Sequence, residues 1–216
     1  MVKAIIFDFW GTLVENGVWS PIKQVKEILG IRLPFSDYVV RMERAMMTKK
    51  FQTLKEAFES LCTEFDIKCD EHTLEALVGM WNKSWMLAKP YPEVKEVLQD
   101  LKGRYKLILI SNTDCFSVNN VLDKFKMRDL FDGIFLSCNL SLIKTDQEFF
   151  RQVLKEIECQ AEECTLVGDS IQSDMLAAQQ AGMEAILIDR KNSRDFNPKI
   201  NNFKELSKAL ESYEDG

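Results

Sequence analysis

Residues 4–13 read AIIFDFWGTL. An unbroken apolar run climbs into Asp8, a bulky aromatic pair follows, and Gly11-Thr12 turns the chain. A short continuous apolar run of this kind is the mark of a strand buried on both faces. Asp8 therefore stands at the carboxyl end of a buried strand. The same texture recurs at YKLILISN (105–112), GIFLS (133–137), CTLVGD (164–169) and EAILID (184–189). Helical patterns separate these runs: PEVKEVLQDLKG, SVNNVLDKFKM, DQEFFRQVLKEIE and SDMLAAQQAG. Strands alternating with helices predict an α/β fold with a parallel sheet and right-handed crossovers.

The interval 14–90 breaks this rhythm. It offers no strand and roughly four helical patterns: SPIKQVKEILG, SDYVVRMERAMMTK, TLKEAFESLCTEF and DEHTLEALVGMWNKSWM. The predicted organisation is an α/β core of residues 1–13 and 91–216, with an all-α bundle of residues 14–90 inserted after the first strand. Pro90 and Pro92 mark the return to the core. Met46, Met47, Met80, Trp81, Trp85 and Met86 fall at helical spacing and read first as packing inside that bundle. The tail ESYEDG reads as frayed.

Bulk properties narrow the function. Lys and Arg total 28 against 34 Asp and Glu, a net charge of −6 with no basic run. Nucleic acid and anionic membranes are poor partners for such a chain. No apolar stretch could span a bilayer, and MVKAIIFDFW meets an acid before a signal-peptide core develops. The six cysteines include no CxxC pair, and His72 is the lone histidine, so zinc and Ser-His or Cys-His chemistry are disfavoured. The cysteines read as buried thiols, which places the protein in a reducing cytoplasm.

Ligands of open α/β sheets sit beyond the carboxyl ends of the strands. There the chain carries Asp8 and Thr12, Ser111-Asn112-Thr113, Lys144 in SLIKTDQEFF, and Gly168-Asp169-Ser170 followed by Asp174. A carboxylate that attacks a phosphate dianion needs cations nearby, and Mg²⁺ and Lys144 would provide them. Ser111 and backbone N–H groups would hold the transferring oxygens.

In DFWGT (8–12), ISN (110–112), Lys144 in IKTDQEFF and GDSIQSD (168–174), in that order, the chain resembles the haloacid dehalogenase superfamily, in its class with a helical cap after the first strand. The resemblance covers essentially the whole chain. It implies a Rossmann-like core of five parallel strands in the order 3-2-1-4-5. It implies an aspartyl intermediate at Asp8 as nucleophile, with Ser111 and Lys144 as catalytic partners. Mg²⁺ would be held by Asp8, Asp169, Asp174 and the Trp10 carbonyl, and a small phosphorylated molecule would be bound with help from Thr12 and Asn112.

Trp10 departs from the family's phosphatases, which carry a second Asp there as general acid and base. Indole has no titratable group near neutral pH. DFWGT is closer to the DxYGT of the family's 2-haloacid dehalogenases. Those enzymes grip the halide with a cap arginine, and Arg41 in YVVRMERAMM falls at a comparable place. Against that reading, the dehalogenases lack metal and carry Tyr six residues after the lysine, where this chain has Phe150. The expected function is a Mg²⁺-dependent phosphatase-type hydrolase with weakened acid–base capacity, suited to acyl or aryl phosphates. The alternatives are a metal-independent 2-haloacid dehalogenase and a non-catalytic ligand-binding relative.

Overall fold

The computed structural model describes residues 1–214. The fraying expected over ESYEDG lies in part outside the described residues, at 215–216. In chain order the elements are β1 (Ala4–Asp8), β2 (Val14–Glu15), α1 (Pro21–Ile28), α2 (Phe35–Met47), α3 (Leu54–Glu64), α4 (Glu71–Leu87), β3 (Lys89–Pro90), α5 (Val94–Leu101), β4 (Lys106–Ser111) and α6 (Ser117–Lys124). They continue with β5 (Gly133–Leu136), α7 (Ser137–Leu140), α8 (Gln147–Glu156), β6 (Cys164–Gly168), α9 (Ala177–Gln180), β7 (Glu184–Ile188), β8 (Lys199–Ile200) and α10 (Leu206–Glu214).

The central sheet is parallel throughout, in the order β5-β4-β1-β6-β7-β8. The expectation of five strands is corrected to six. Lys199 and Ile200 pair with Leu187 and Ile188 and extend the expected order at one edge. Two residues are too few to leave a period in the sequence, so β8 was not legible. A second, two-stranded sheet was also unforeseen: Val14 pairs with Pro90 and Glu15 with Lys89, antiparallel, where the chain enters and leaves the helical interval.

Strands β1, β4, β6 and β7 bury both faces. Ile5 and Phe7 join Leu107, Leu109, Val167 and Ile186 in a cluster with α5, α6 and α10. Ala4 and Ile6 join Ile108, Ile110 and Leu166 on the other face, under α8 and α9. This alternation explains why the runs are apolar throughout rather than at every second residue. The register puts Asp8 level with Ile110 and Phe7 level with Val167. The ends of β1, β4 and β6 thus open within about a residue of one another.

Helices α1 to α4 bury a third cluster of their own, from Val25 through Tyr38, Met42, Met46, Phe58 and Leu61 to Trp81. Their starts are locally specified. Thr53 accepts from the Glu56 amide at 3.2 Å, and Asp70 from the Thr73 amide at 2.7 Å, caps worth about 1 kcal/mol each. Cys62 and Cys69 are joined in a disulfide between α3 and the segment before α4, while Cys115, Cys138, Cys159 and Cys164 are free. This corrects the expectation of six thiols and removes the support those thiols gave to a reducing compartment. No helix among the described residues is long and apolar enough to cross a membrane.

Phe7 is fully buried in the strand that carries Asp8, 5.8 Å from the Phe203 ring. Phe7→Ala is expected to lower unfolding free energy by about 3–5 kcal/mol, read from urea denaturation as a fall in midpoint at unchanged slope.

Candidate active site

The turn after β1 is built by hydrogen bonds that pull the chain back on itself. Leu13 and Val14 amides donate to the Phe9 carbonyl, and the Gly11 amide donates to the Val14 carbonyl. Trp10's carbonyl is left out of these bonds. Gly11 sits at φ +80°, and a Cβ there would lie 2.3 Å from Asp169 Oδ2. Both facts require glycine. Thr12, fully buried, donates its hydroxyl to Asp8 Oδ2 at 2.9 Å. Arg190 supports the turn from behind, donating to the Thr12 carbonyl at 3.0 Å while pairing with Glu93 at 2.6 Å.

Lys144 closes the centre. Its Nζ lies 2.7 Å from Asp8 Oδ1 and 2.5 Å from Asp174 Oδ1, with all three side chains at or below 6% exposure. Asp174 is carried by a turn of π-helix at Ile171–Leu176, a wide turn that often marks functional positions. The Ser170 amide donates to its Oδ2 at 3.0 Å. Gly168 lets this carboxylate approach, since a Cβ would fall 2.5 Å from it.

Asp8, Asp169 and Asp174 each offer an oxygen within 4.8 Å of the others. Asp169 is half-buried and has Arg194 at 4.0 Å. With Glu43, described below, four carboxylates face two cations, Lys144 and Arg194. The surplus of hard oxygen donors and negative charge fits a divalent cation, and these three aspartates could hold one.

The protonation balance follows from burial. Burial would by itself lower the Lys144 pKa; the Asp174 and Asp8 carboxylates outweigh it and hold the ammonium above the ordinary lysine range. Burial raises Asp8 to about 6, opposed by Lys144 and Thr12 and assisted by Asp174. Asp169 is raised to about 7 by burial and by the facing Asp8 and Asp174.

Of the residues singled out in the sequence, Asp8, Thr12, Asn112, Lys144, Asp169 and Asp174 converge. Ser111 is buried at the end of β4, its hydroxyl 3.4 Å from the Asn112 carbonyl. Arg41 does not join them. It pairs with Glu64 at 2.7 Å and lies over the Phe65 ring, exposed on the helical side. His72 is exposed in the first turn of α4. Phe150 is buried in the sheet-face cluster, edge-on to Phe149.

Sequence reasoning missed Glu43. It is 8% exposed on α2, and its Oε2 accepts from Asn112 Nδ2 at 2.8 Å. Asn112 Oδ1 in turn accepts from the Lys144 amide at 2.9 Å. Burial raises Glu43 to about 7, against the pull of Lys144 and Asn112. A signal was present: Val39, Glu43, Met46 and Met47 share one helical face, so Glu43 interrupts an apolar stripe. Arg41 falls between the stripes. The neighbouring Arg44 grips Asp146 at 2.5 Å, and Asp146 also accepts from the Ile143 amide at 3.0 Å.

A pocket of about 160 Å³ opens beside this centre, between the α1–α4 side and the ends of the sheet strands; Trp10, Trp81, Trp85 and Met47 are among its walls. Trp81, Trp85 and Met47 thus do more than fill the bundle, while Met86 and Trp19 are largely exposed.

A family model described as haloacid dehalogenase-like hydrolase matches residues 2–182. Glyceraldehyde 3-phosphate phosphatase of Methanothermobacter thermautotrophicus is 26% identical over 197 residues, 87% of this chain and 86% of that one. Sesquiterpene phosphatase astK of Aspergillus oryzae is 25% identical over 186 residues, 84% of this chain and 87% of that one. Among solved structures, 2-haloacid dehalogenase of Pseudomonas syringae superposes with a TM-score of 0.66 at 19% identity, over 99% of this chain and 100% of that one. The likeness of that structure concerns the fold alone.

Two outcomes follow from the charge balance. Lys144→Met leaves Asp8 and Asp174 buried without their cation, and is expected to cost about 3–5 kcal/mol in urea unfolding at neutral pH in EDTA. The second concerns pH. Asp8, Asp169 and Glu43 bind protons more tightly folded than at their ordinary values of 3.8, 3.8 and 4.5. The unfolded chain releases them first as pH rises. Their contribution to stability in EDTA is therefore fully present below about pH 3.8 and is lost as pH rises through about 6 to 7. Thermal midpoints across this range should fall in EDTA, and Glu43→Gln should make the fall shallower.

Proposed function

The chain belongs to the haloacid dehalogenase-like hydrolases, and on that premise we propose that it is a Mg²⁺-dependent phosphatase acting through Asp8 on a small phosphorylated molecule. The observation that carries this reading is the buried linkage of Asp8, Lys144 and Asp174 with Asp169 in reach of both aspartates. In this reading residues 14–90 form a cap over a core of residues 1–13 and 91–216.

Asp8 attacks phosphorus, the new Asp8 O–P bond forms, and the bond to the leaving oxygen breaks with its electron pair. Lys144 and Thr12 fix the attacking carboxylate, and Lys144 favours its ionised form. Ser111 and Asn112 stand where the transferring oxygens would lie. Asp8, Asp169, Asp174 and the Trp10 carbonyl would hold Mg²⁺, which supplies positive charge against the phosphate oxygens. Water then hydrolyses the aspartyl phosphate and restores Asp8.

Trp10 supplies no proton to the leaving group. Loss of general acid–base help costs about 10²–10⁴-fold, so esters whose leaving group departs as a stable anion are the favoured substrates. The dehalogenase alternative is weakened by Arg41, which is paired with Glu64, and by an acidic triad that would repel the carboxylate of a 2-haloacid.

The test is hydrolysis of p-nitrophenyl phosphate in Mg²⁺ and in EDTA, with Asp8→Asn as the blank. Expected are turnover in Mg²⁺, loss in EDTA, and loss in Asp8→Asn. Simple alkyl phosphates should turn over about 10²–10⁴-fold more slowly. Chloride release from 2-chloropropionate in EDTA, with no phosphate release from any ester, would replace this reading with the dehalogenase.

A further inference from the structure

Resting on the phosphatase reading, the pocket beside Asp8 says what the phosphate is attached to. Its position is fixed by the catalytic turn itself. Trp10 stands two residues after Asp8, and Asn112 directly follows Ser111; both line it. In the phosphatase reading, an ester whose phosphorus faces Asp8 would reach this space past Trp10 and Asn112.

Aromatic and aliphatic side chains share the walls with uncharged polar ones, Asn16, Ser20, Ser84, Thr113 and Ser117, of which Ser84 is spent on Asn16 and Ser117 on Asp114. Trp81 is fixed at both ends: its Nε1 donates to Asp114 Oδ2 at 2.8 Å, and its ring meets Phe58 edge-on at 5.7 Å. Trp85 Nε1 donates to Asn82 Oδ1 at 2.9 Å. With their N–H groups spent on the protein, these two indoles have ring surface rather than donors to offer a guest. Ile22, Phe35 and Met47 complete the apolar lining.

The charge pattern is equally selective. No lysine or arginine among the described residues lines the pocket, and its one charged residue is Asp114. That carboxylate is saturated: besides Trp81, it accepts from Ser117 Oγ at 2.7 Å and from the Phe116 and Ser117 amides at 2.8 Å each. A second anionic group on the substrate would find no counter-ion there and would face a fixed negative charge at a desolvated wall. A polar uncharged chain would fit but would set part of its hydroxylated surface against indole and thioether, with several of the wall's polar groups already paired within the protein. The volume of about 160 Å³ compares with an engineered apolar cavity of about 150 Å³ that accepts benzene, so the guest is about one ring in size.

We propose that the pocket lined by Trp10, Ile22, Phe35, Met47, Trp81 and Trp85 selects phosphate monoesters whose organic group is uncharged, apolar and about one ring or a short branched chain in size. Trp10 then has a role of its own: it forms the wall of the pocket nearest the nucleophile.

Three primary alkyl phosphates separate this from leaving-group effects: benzyl phosphate, glyceraldehyde 3-phosphate and 2-phosphoglycolate, assayed with wild-type enzyme in Mg²⁺. Benzyl phosphate is expected to exceed the other two in kcat/KM by at least about tenfold, the yield of burying a ring-sized apolar surface, mainly through KM. Phe35 is 45% exposed, so Phe35→Arg is tolerated by the fold and brings a cation to the wall. It should shift the ratio of benzyl phosphate to phosphoglycolate by about tenfold towards phosphoglycolate. Calorimetric binding of benzylphosphonate against phosphonoacetate decides the same question without turnover, tighter binding of benzylphosphonate being expected. If p-nitrophenyl phosphate is hydrolysed through Asp8 but glyceraldehyde 3-phosphate or phosphoglycolate equals or exceeds benzyl phosphate, this proposal is overturned and the phosphatase reading stands. If no ester is hydrolysed, the phosphatase reading falls, and equal or reversed phosphonate affinities overturn the pocket's assignment as well.

Discussion

One ammonium group holds this molecule's working end together. Lys144 Nζ lies within hydrogen-bond distance of both Asp8, at the end of β1, and Asp174, in the π-helical turn after β6. Without it, β1 and β6 would bring two carboxylates into a space that water barely reaches. Two like charges at that range repel and resist close packing. The lysine converts the repulsion into a joint, and the rest of the site is arranged around it. Thr12 takes the second oxygen of Asp8, the Ser170 amide takes the second oxygen of Asp174, and Asp169 is left at the open side. The glycines at 11 and 168 are the backbone counterpart of the same arrangement, because a side chain at either would displace a carboxylate.

Much of this was legible from residue order. The five long strands announced themselves because a parallel strand buried on both faces has no polar positions to interrupt it. The four helices between 21 and 87 were legible from their apolar spacing. Asp8, Thr12, Asn112, Lys144, Asp169 and Asp174 were found because strand ends are where such folds place chemistry. What escaped was set by tertiary contact rather than local pattern. Strands β2, β3 and β8 are two residues each and exist only because a partner lies alongside. The Cys62–Cys69 bond depends on how α3 meets the segment before α4. Arg41 was chosen by its place along the chain, yet a helix turns about 100° per residue. Two residues on, Glu43 faces the site and Arg41 faces Glu64.

Position 10 bears on the proposed chemistry in two ways. Indole neither gives nor takes a proton at neutral pH, so under the proposed reaction Trp10 adds no acid or base. As a surface, it adds to an aromatic wall shared with Trp81 and Trp85. The two effects favour the same kind of molecule. A leaving group that needs no proton is commonly aryl or acyl, and an aromatic pocket without cations suits an uncharged ring.

Asn112 has one carboxamide and two masters. Its nitrogen is held by Glu43 on α2, and its oxygen holds the amide of Lys144. On the far side of the same loop, Arg44 grips Asp146. Adjacent residues of a single helix therefore pinch the loop that presents the lysine. The position of α2 is thereby tied to Lys144 through two contacts on one helix, so the ammonium beside Asp8 is held from the helices above as well as from the sheet below.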